Sequence, residues 1–142
     1  MTQRNKPANL HTIRLIIVDD HPIMRDGLRK LFELEDDFEV VGEAGSGEQA
    51  LTLVRTMLPS VVLLDLNLPD LNGLQVAGML KTTYHDAIGV IMLTAHNDRE
   101  QIVHAMRAGA SAYCPKEIEI GQLLDTVRLV AQGHYVIDGK PY

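Results

Sequence analysis

Three aspartates, a threonine and a lysine stand out because each follows a short apolar run. Asp19 and Asp20 follow Ile13-Arg14-Leu15-Ile16-Ile17-Val18, and Asp65 follows Val61-Val62-Leu63-Leu64. Thr94 follows Val90-Ile91-Met92-Leu93, and Lys116 comes shortly after Ala112-Tyr113-Cys114. If these runs are strands of one parallel sheet, their C-terminal ends share an edge, and ligands of such sheets bind there. Three carboxylates, a hydroxyl and an ammonium then converge from distant parts of the chain. Carboxylates that close together repel, and a hard divalent cation with oxygen ligands relieves the repulsion. Mg²⁺ needs only one or two carboxylates and keeps several waters, which suits this set. A cation beside a carboxylate also neutralises an incoming phosphate, whose other oxygens a hydroxyl and an ammonium can contact. The set therefore reads as a carboxylate nucleophile equipped for phosphoryl chemistry. Taken singly, each residue has an ordinary reading: Asp19 and Asp20 as a strand end and helix cap, Asp65 as a loop opener before Pro69, Thr94 as a strand terminus, Lys116 as a solvated surface lysine.

The elements that must position these groups follow from the hydrophobic pattern. Ile13–Val18, Phe38–Ala44, Val61–Leu64, Val90–Leu93 and Ala112–Cys114 are short, apolar and rich in β-branched residues, as buried strands are. Between them lie stretches of helical spacing. Pro22 suits a first helical turn, and Met24, Leu28, Leu31 and Phe32 form the apolar face after it. Ser46-Gly47-Glu48-Gln49 has the spacing of a capping box and opens a helix with Ala50, Leu51, Val54 and Met57 on one side. Gly73 to Thr83 predicts a helix with Leu74, Ala77 and Leu80 inward. Asp98 to Ala108 predicts another, with Ile102, Val103 and Met106 inward and Gly109 as its stop. Ile120 to Ala131 predicts the last, with Leu123, Leu124, Val127 and Val130 inward and Gly133 beyond its end. Strict alternation of five strands and five helices implies an α/β fold with a parallel sheet and helices on both faces.

Composition narrows the function classes. The 142 residues are 46% hydrophobic and 23% charged, the balance of one folded domain, with a net charge of -6. That acidity lacks the basic footprint of a nucleic-acid-binding surface. The single cysteine, Cys114, permits no internal disulfide and fits a reducing, cytoplasmic setting. No run is long enough to span a membrane, so no membrane partner is expected. His21 and His96 are read as loop residues near the pocket, since Mg²⁺ prefers oxygen, and Cys114 as a small buried strand residue.

Four segments then resemble, in order, the landmarks of receiver domains of two-component response regulators. They are Val18-Asp19-Asp20-His21-Pro22, Leu63-Leu64-Asp65-Leu66-Asn67-Leu68-Pro69, Leu93-Thr94-Ala95-His96 and Gly109-Ala110-Ser111-Ala112-Tyr113-Cys114-Pro115-Lys116. The resemblance implies a flavodoxin-like (βα)5 three-layer sandwich with a five-stranded parallel sheet of order 2-1-3-4-5. It implies Asp65 as phosphoacceptor, Mg²⁺ as cofactor, and Asp20, Asp65 and the carbonyl of Asn67 as direct metal ligands, with Asp19 acting through water. It implies Thr94 as switch hydroxyl, Lys116 as phosphate-binding lysine, Tyr113 as the aromatic that changes rotamer, and Asn67 and His96 as positions that tune dephosphorylation. Asp19-Asp20-His21-Pro22, Gly27-Leu28 and Val40-Val41-Gly42-Glu43-Ala44 further resemble the NarL/FixJ (LuxR-type) subfamily, in which a helix-turn-helix DNA-binding domain follows. On that resemblance, 1–12 are expected as a flexible tail, 13–133 as the receiver and 134–142 as the start of a linker. The partners implied are a sensor histidine kinase, a second copy on phosphorylation, and DNA only through a C-terminal domain outside this chain. Where the family often has proline after its lysine, this chain has Glu117. The Lys116–Glu117 bond is therefore expected to be trans, because a non-proline cis bond costs ~2.5–4 kcal/mol.

Three competing functions differ in testable features. A small phosphohydrolase of haloacid-dehalogenase type also uses aspartate and Mg²⁺, but needs an acid two residues after its nucleophile. Asn67 follows Asp65 at that spacing and His21 follows Asp19, and no cap domain is present to form a substrate pocket. An inactive receiver used only for docking would have lost an acid or the lysine. A flavodoxin-like cofactor binder would need a Gly-rich loop after the first strand. The reading is thus a signalling switch and not an enzyme, catalysing only its own phosphoryl transfer and autodephosphorylation.

Overall fold

The computed structural model describes residues 12–95, 99–137 and 139–141. In chain order it runs β1 (Ile13–Val18), α1 (Pro22–Glu33), β2 (Phe38–Ala44), α2 (Gly47–Met57), β3 (Val61–Asp65), α3 (Gly73–Tyr84), a short 3-10 turn (His85–Ala87), β4 (Gly89–Thr94), α4 (Arg99–Ala108), β5 (Ala112–Pro115), α5 (Ile120–Ala131), β6 (Val136–Ile137) and β7 (Lys140–Pro141). The sheet order is β2-β1-β3-β4-β5-β6-β7. The first five strands are parallel and take the expected order.

Successive strand residues feed two separate cores, which explains why the strands read as continuous apolar runs. Leu15, Ile17, Leu63 and Ile91 pack with Leu28 and Phe32 of α1 and Leu124 and Val127 of α5. Ile16, Val18, Val62 and Leu64 pack with Val54 of α2, Val76 and Ala77 of α3 and Ala105 of α4. Helices α1 and α5 thus cover one face and α2, α3 and α4 the other. Phe32 and Phe38 meet edge to face with ring centroids 5.0 Å apart, closing the α1–β2 corner. Arg128 of α5 reaches the same corner. Its Nε and Nη2 donate to the two Asp37 oxygens at 2.8 and 3.1 Å, and its guanidinium lies over the Phe38 ring.

Several local expectations are corrected. In α4, Ala105 is buried and Met106 packs half-buried against the same core as expected, while Val103 is 41% exposed. Two residues along a helix are about 200° apart, so Val103 is on the far side of Ala105. Leu31 sits at the rim of α1 and is exposed, unlike Leu28 and Phe32. At α2, Ser46 accepts from Gln49 N–H as a cap should, but the Gln49 side chain accepts from Gly45 N–H and not from Ser46. A reciprocal capping box instead opens α3, where Asn72 accepts from Leu74 N–H and Gln75 accepts from Asn72 N–H. The segment from His134 contributes the short strands β6 and β7. Val136 is buried and its N–H donates to Ser111 O at 2.8 Å, so an apolar side chain and one hydrogen bond extend the β5 edge. Within the described residues every peptide is trans, Lys116–Glu117 included. Residues 1–11 and His96 lie outside the described residues.

Candidate functional site

The ends of β1, β3, β4 and β5 bring the chemistry-bearing residues together. Asp65 is the last residue of β3, in register with Leu93, so Thr94 follows one position further along the neighbouring strand. Thr94 is fully buried, and its carbonyl accepts Lys116 N–H at 2.7 Å, which ties the turn after β5 to the end of β4. Lys116 Nζ donates to Asp65 Oδ2 at 2.9 Å and lies 3.4 Å from Asp19 Oδ2. Tyr113 is half-buried in β5 opposite Met92 and lines a cavity of about 330 Å³ with Ile102, Gln122 and Val136.

The loop after Asp65 is held from both sides. Asn67 N–H donates to Asp65 Oδ1 at 3.1 Å, fixing the nucleophile candidate by its own loop. Gly73 N–H then returns to Leu66 O at 2.8 Å. A Cβ at Gly73 would stand 2.6 Å from Asp65 O and 2.8 Å from Leu66 Cα, so only glycine lets α3 start this close to the site. Asp70 anchors the loop's outer end. Its carboxylate accepts Gly47 N–H and Glu48 N–H at 2.8 and 2.9 Å, at the N-terminus of α2. These donors, Glu48 first, hold the Asp70 carboxyl below its ordinary range.

The electrostatics are strained by design of the sequence: Asp19 and Asp65 are each about 1% exposed, and Lys116 is the cation between them. Burial pushes the Asp65 carboxyl above its ordinary range, against hydrogen bonds from Lys116 and Asn67 N–H, and the Asp19 charge adds to the rise. Burial opposes the Lys116 charge, but the hydrogen bond and charge of Asp65 outweigh it and raise the ammonium. Burial also pushes the Cys114 thiol up to about 11, which fits a packed and unreactive residue.

Asp19, Asp20, His21 and Asp65 each offer a ligand atom, and these lie within 4.8 Å of one another. Asp19 Oδ1 accepts from His21 N–H at 2.8 Å and lies 2.7 Å from His21 Nδ1. Asp19 Oδ2, by contrast, is buried, makes no well-aligned hydrogen bond among the described residues, and is faced by Lys116 Nζ at 3.4 Å. One ammonium shared by two buried carboxylates leaves net negative charge at the site, which is costly to bury, and a hard cation relieves it. The donor set fits a divalent ion with oxygen ligands. The expected acids, lysine and threonine are all brought to this edge, and Asn67 sits beside Asp65. The sequence reading did not find Asp70 or the His21–Asp19 contact. Asp70 followed by a glycine-opened helix is a loop-closing signal in hindsight, but its partner is 22 or more residues away and no spacing rule reaches it.

A buried carboxylate at a parallel-strand end, beside an acid pair and a lysine, is the arrangement expected of a receiver domain. Comparison with known proteins agrees. The family model described as "Response regulator receiver domain" matches residues 15–128, and the chain belongs to that family. It is 36% identical to the transcriptional regulatory protein DegU of Brevibacillus brevis, over 96% of this chain and 57% of DegU. It is 33% identical to the nitrate/nitrite response regulator NarL of Escherichia coli K12, over 92% of this chain and 60% of NarL. Among solved structures, the signal receiver domain of a NarL response regulator from Mycobacterium tuberculosis superposes with a TM-score of 0.82 at 32% identity, covering 87% of this chain and 98% of that one. The chain is therefore a receiver domain of the NarL/LuxR type of two-component response regulators, and it spans less than two thirds of the length of these curated relatives.

Proposed function

We propose that Asp65 accepts a phosphoryl group from a sensor histidine kinase with the help of Mg²⁺. The observation that carries this is the buried Asp65 carboxylate, 2.9 Å from Lys116 and grouped with an acid pair whose buried Asp19 shares that one ammonium at 3.4 Å. Asp20, Asp65 and the Asn67 carbonyl would hold the ion, with Asp19 acting through water. The ion would supply charge neutralisation to the phosphoryl oxygens. Asn67 N–H orients the Asp65 carboxylate, and burial keeps that carboxylate basic and poorly solvated. An Asp65 oxygen forms the new O–P bond as the bond from phosphorus to the donor breaks and the donor leaves. Lys116 exchanges its carboxylate partner for a phosphoryl oxygen, and the Thr94 hydroxyl takes another. Drawing Thr94 inward changes the packing beside Tyr113 and alters the surface of α4, β5 and α5. Asn67 and His96 tune how long the phosphoryl group lasts.

On this reading the chain catalyses only its own phosphorylation and dephosphorylation. It works in the cytoplasm, forms a homodimer on phosphorylation, and reaches DNA through a C-terminal helix-turn-helix domain beyond this chain. Residues 13–133 form the receiver and 134–142 begin the connection. Among the described residues no helix is long and apolar enough to cross a membrane. The test is intact mass after incubation with acetyl phosphate and Mg²⁺. Wild type is expected to gain one hydroxylamine-labile phosphoryl group, while Asp65→Asn and an EDTA control gain none. A labelled Asp65→Asn variant, or an unlabelled wild type with excess Mg²⁺, overturns the assignment.

A further inference from the structure

Asp19 is held through its peptide as well as through its side chain. Its N–H donates to Ala44 O at 3.0 Å, at the end of β2. Its carbonyl accepts Nη1 of Arg25, from the first turn of α1, at 2.5 Å. The Arg25 side chain is only 21% exposed, and its Nε lies 3.6 Å from Glu43 Oε1, an ion pair without a hydrogen bond. Glu43 is itself held by Arg29 Nε at 3.1 Å, and Arg29 pairs with Asp26. Gly45 closes the other side. A Cβ there would come 3.1 Å from Arg25 Nη1, so glycine leaves room for the guanidinium.

A cation this close to an acid pair opposes a metal ion by simple Coulomb repulsion. Its presence makes sense through the bond it forms, because the carbonyl it grips belongs to the peptide joining Asp19 to Asp20. The geometry points to Arg25 as a positioning residue for metal binding: paired in charge with Glu43, it holds the Asp19–Asp20 peptide so that the buried Asp19 carboxylate and the exposed Asp20 carboxylate reach the same ion. This inference rests on the Mg²⁺ reading above. Outer contacts that orient ligands are often worth about tenfold in metal affinity.

The test is a titration of wild type, Arg25→Gln, Arg25→Lys and Glu43→Gln with MgCl₂, followed by ¹H–¹⁵N spectra that start in EDTA. Arg25→Gln is expected to weaken Mg²⁺ binding about tenfold and to broaden the Asp20 and His21 amides in EDTA. Arg25→Lys, which keeps the charge and a donor, is expected to recover part of the loss. Glu43→Gln loosens the clamp without touching Arg25 and is expected to weaken binding by about two- to threefold; it keeps the comparison open if Arg25→Gln does not fold. Tighter Mg²⁺ binding in Arg25→Gln means that the charge alone matters, and an unchanged affinity with a lower Tm means an ordinary structural contact. Either result overturns the inference. A wild type whose spectrum does not respond to Mg²⁺ sinks the metal reading itself, and the amide lines in EDTA then decide alone whether Arg25 holds this turn.

Discussion

Replacing Asp65 with asparagine is expected to stabilise the metal-free protein, even though it removes the residue most central to the site. Two buried carboxylates share one ammonium and a third, Asp20, is close by, with ligand atoms of the acids within 4.8 Å of one another. At an effective dielectric of about 20, two charges about 5 Å apart interact by about 3 kcal/mol, and the tighter Lys116–Asp65 pair by about 5 kcal/mol. Asp65→Asn gives up that attraction but removes the repulsion from Asp19, a screened share from Asp20, and the several kcal/mol needed to bury a carboxylate. Lys116 keeps Asp19 as a partner. The balance favours the variant by about 1–2 kcal/mol, or roughly 4–8 °C in Tm for a domain of this size. Lys116→Met leaves the acids without their cation and is expected to cost about 2–4 kcal/mol. Thermal unfolding in EDTA and again in MgCl₂ reads both effects. In MgCl₂ the wild type and Lys116→Met are expected to recover more than Asp65→Asn, because a ligand stabilises in proportion to how well the native state binds it. The direction also sets a pH dependence. Asp65 is raised in the folded protein, so the native state holds its proton to higher pH than the unfolded chain does. Its contribution is present below the unfolded value and is lost as pH rises through the folded one. If Asp65→Asn unfolds at a lower temperature than wild type in EDTA, the acid cluster is not under charge stress and the argument for a compensating cation fails.

Two further outcomes follow from the loop between β3 and α3. Gly73→Ala places a Cβ against the backbone at Asp65 and Leu66, and is expected to cost about 2–3 kcal/mol in urea unfolding and to slow phosphorylation by shifting the nucleophile; a variant as stable as wild type shows that α3 can retreat without harm. Asp70 is lowered in the folded protein by the amides of Glu48 and Gly47, so its contribution is present above the unfolded carboxylate value and lost as pH falls through the folded one. Wild type is therefore expected to lose more Tm than Asp70→Ala between pH 6 and about pH 3, and parallel losses in a thermal series exclude the clamp.

The sequence by itself determined the element order, the two-sided burial of the sheet and the edge on which the chemistry collects. Strands such as Val61–Asp65 are apolar up to their last residue because helices cover both faces, and the residue that ends each run must lie at the common edge. Local pattern carries that information. What only the tertiary structure decided are contacts between groups distant in sequence, or which side of a helix faces the sheet. The Asp70 clamp joins the site loop to α2 across 22 and 23 residues, and Lys116 reaches Asp65 across 51. Ala105, with no strong hydrophobic signal, is the fully buried residue of α4 among the described residues, because a small side chain allows close approach to the sheet. Val136 found a place on the β5 edge, where one exposed strand offers hydrogen bonds that no periodicity in the short tail announces. The Arg25 grip on the Asp19 carbonyl is of the same kind. A backbone oxygen has no signature in the sequence, so which side chain reaches it is settled only when β1, β2 and α1 have packed.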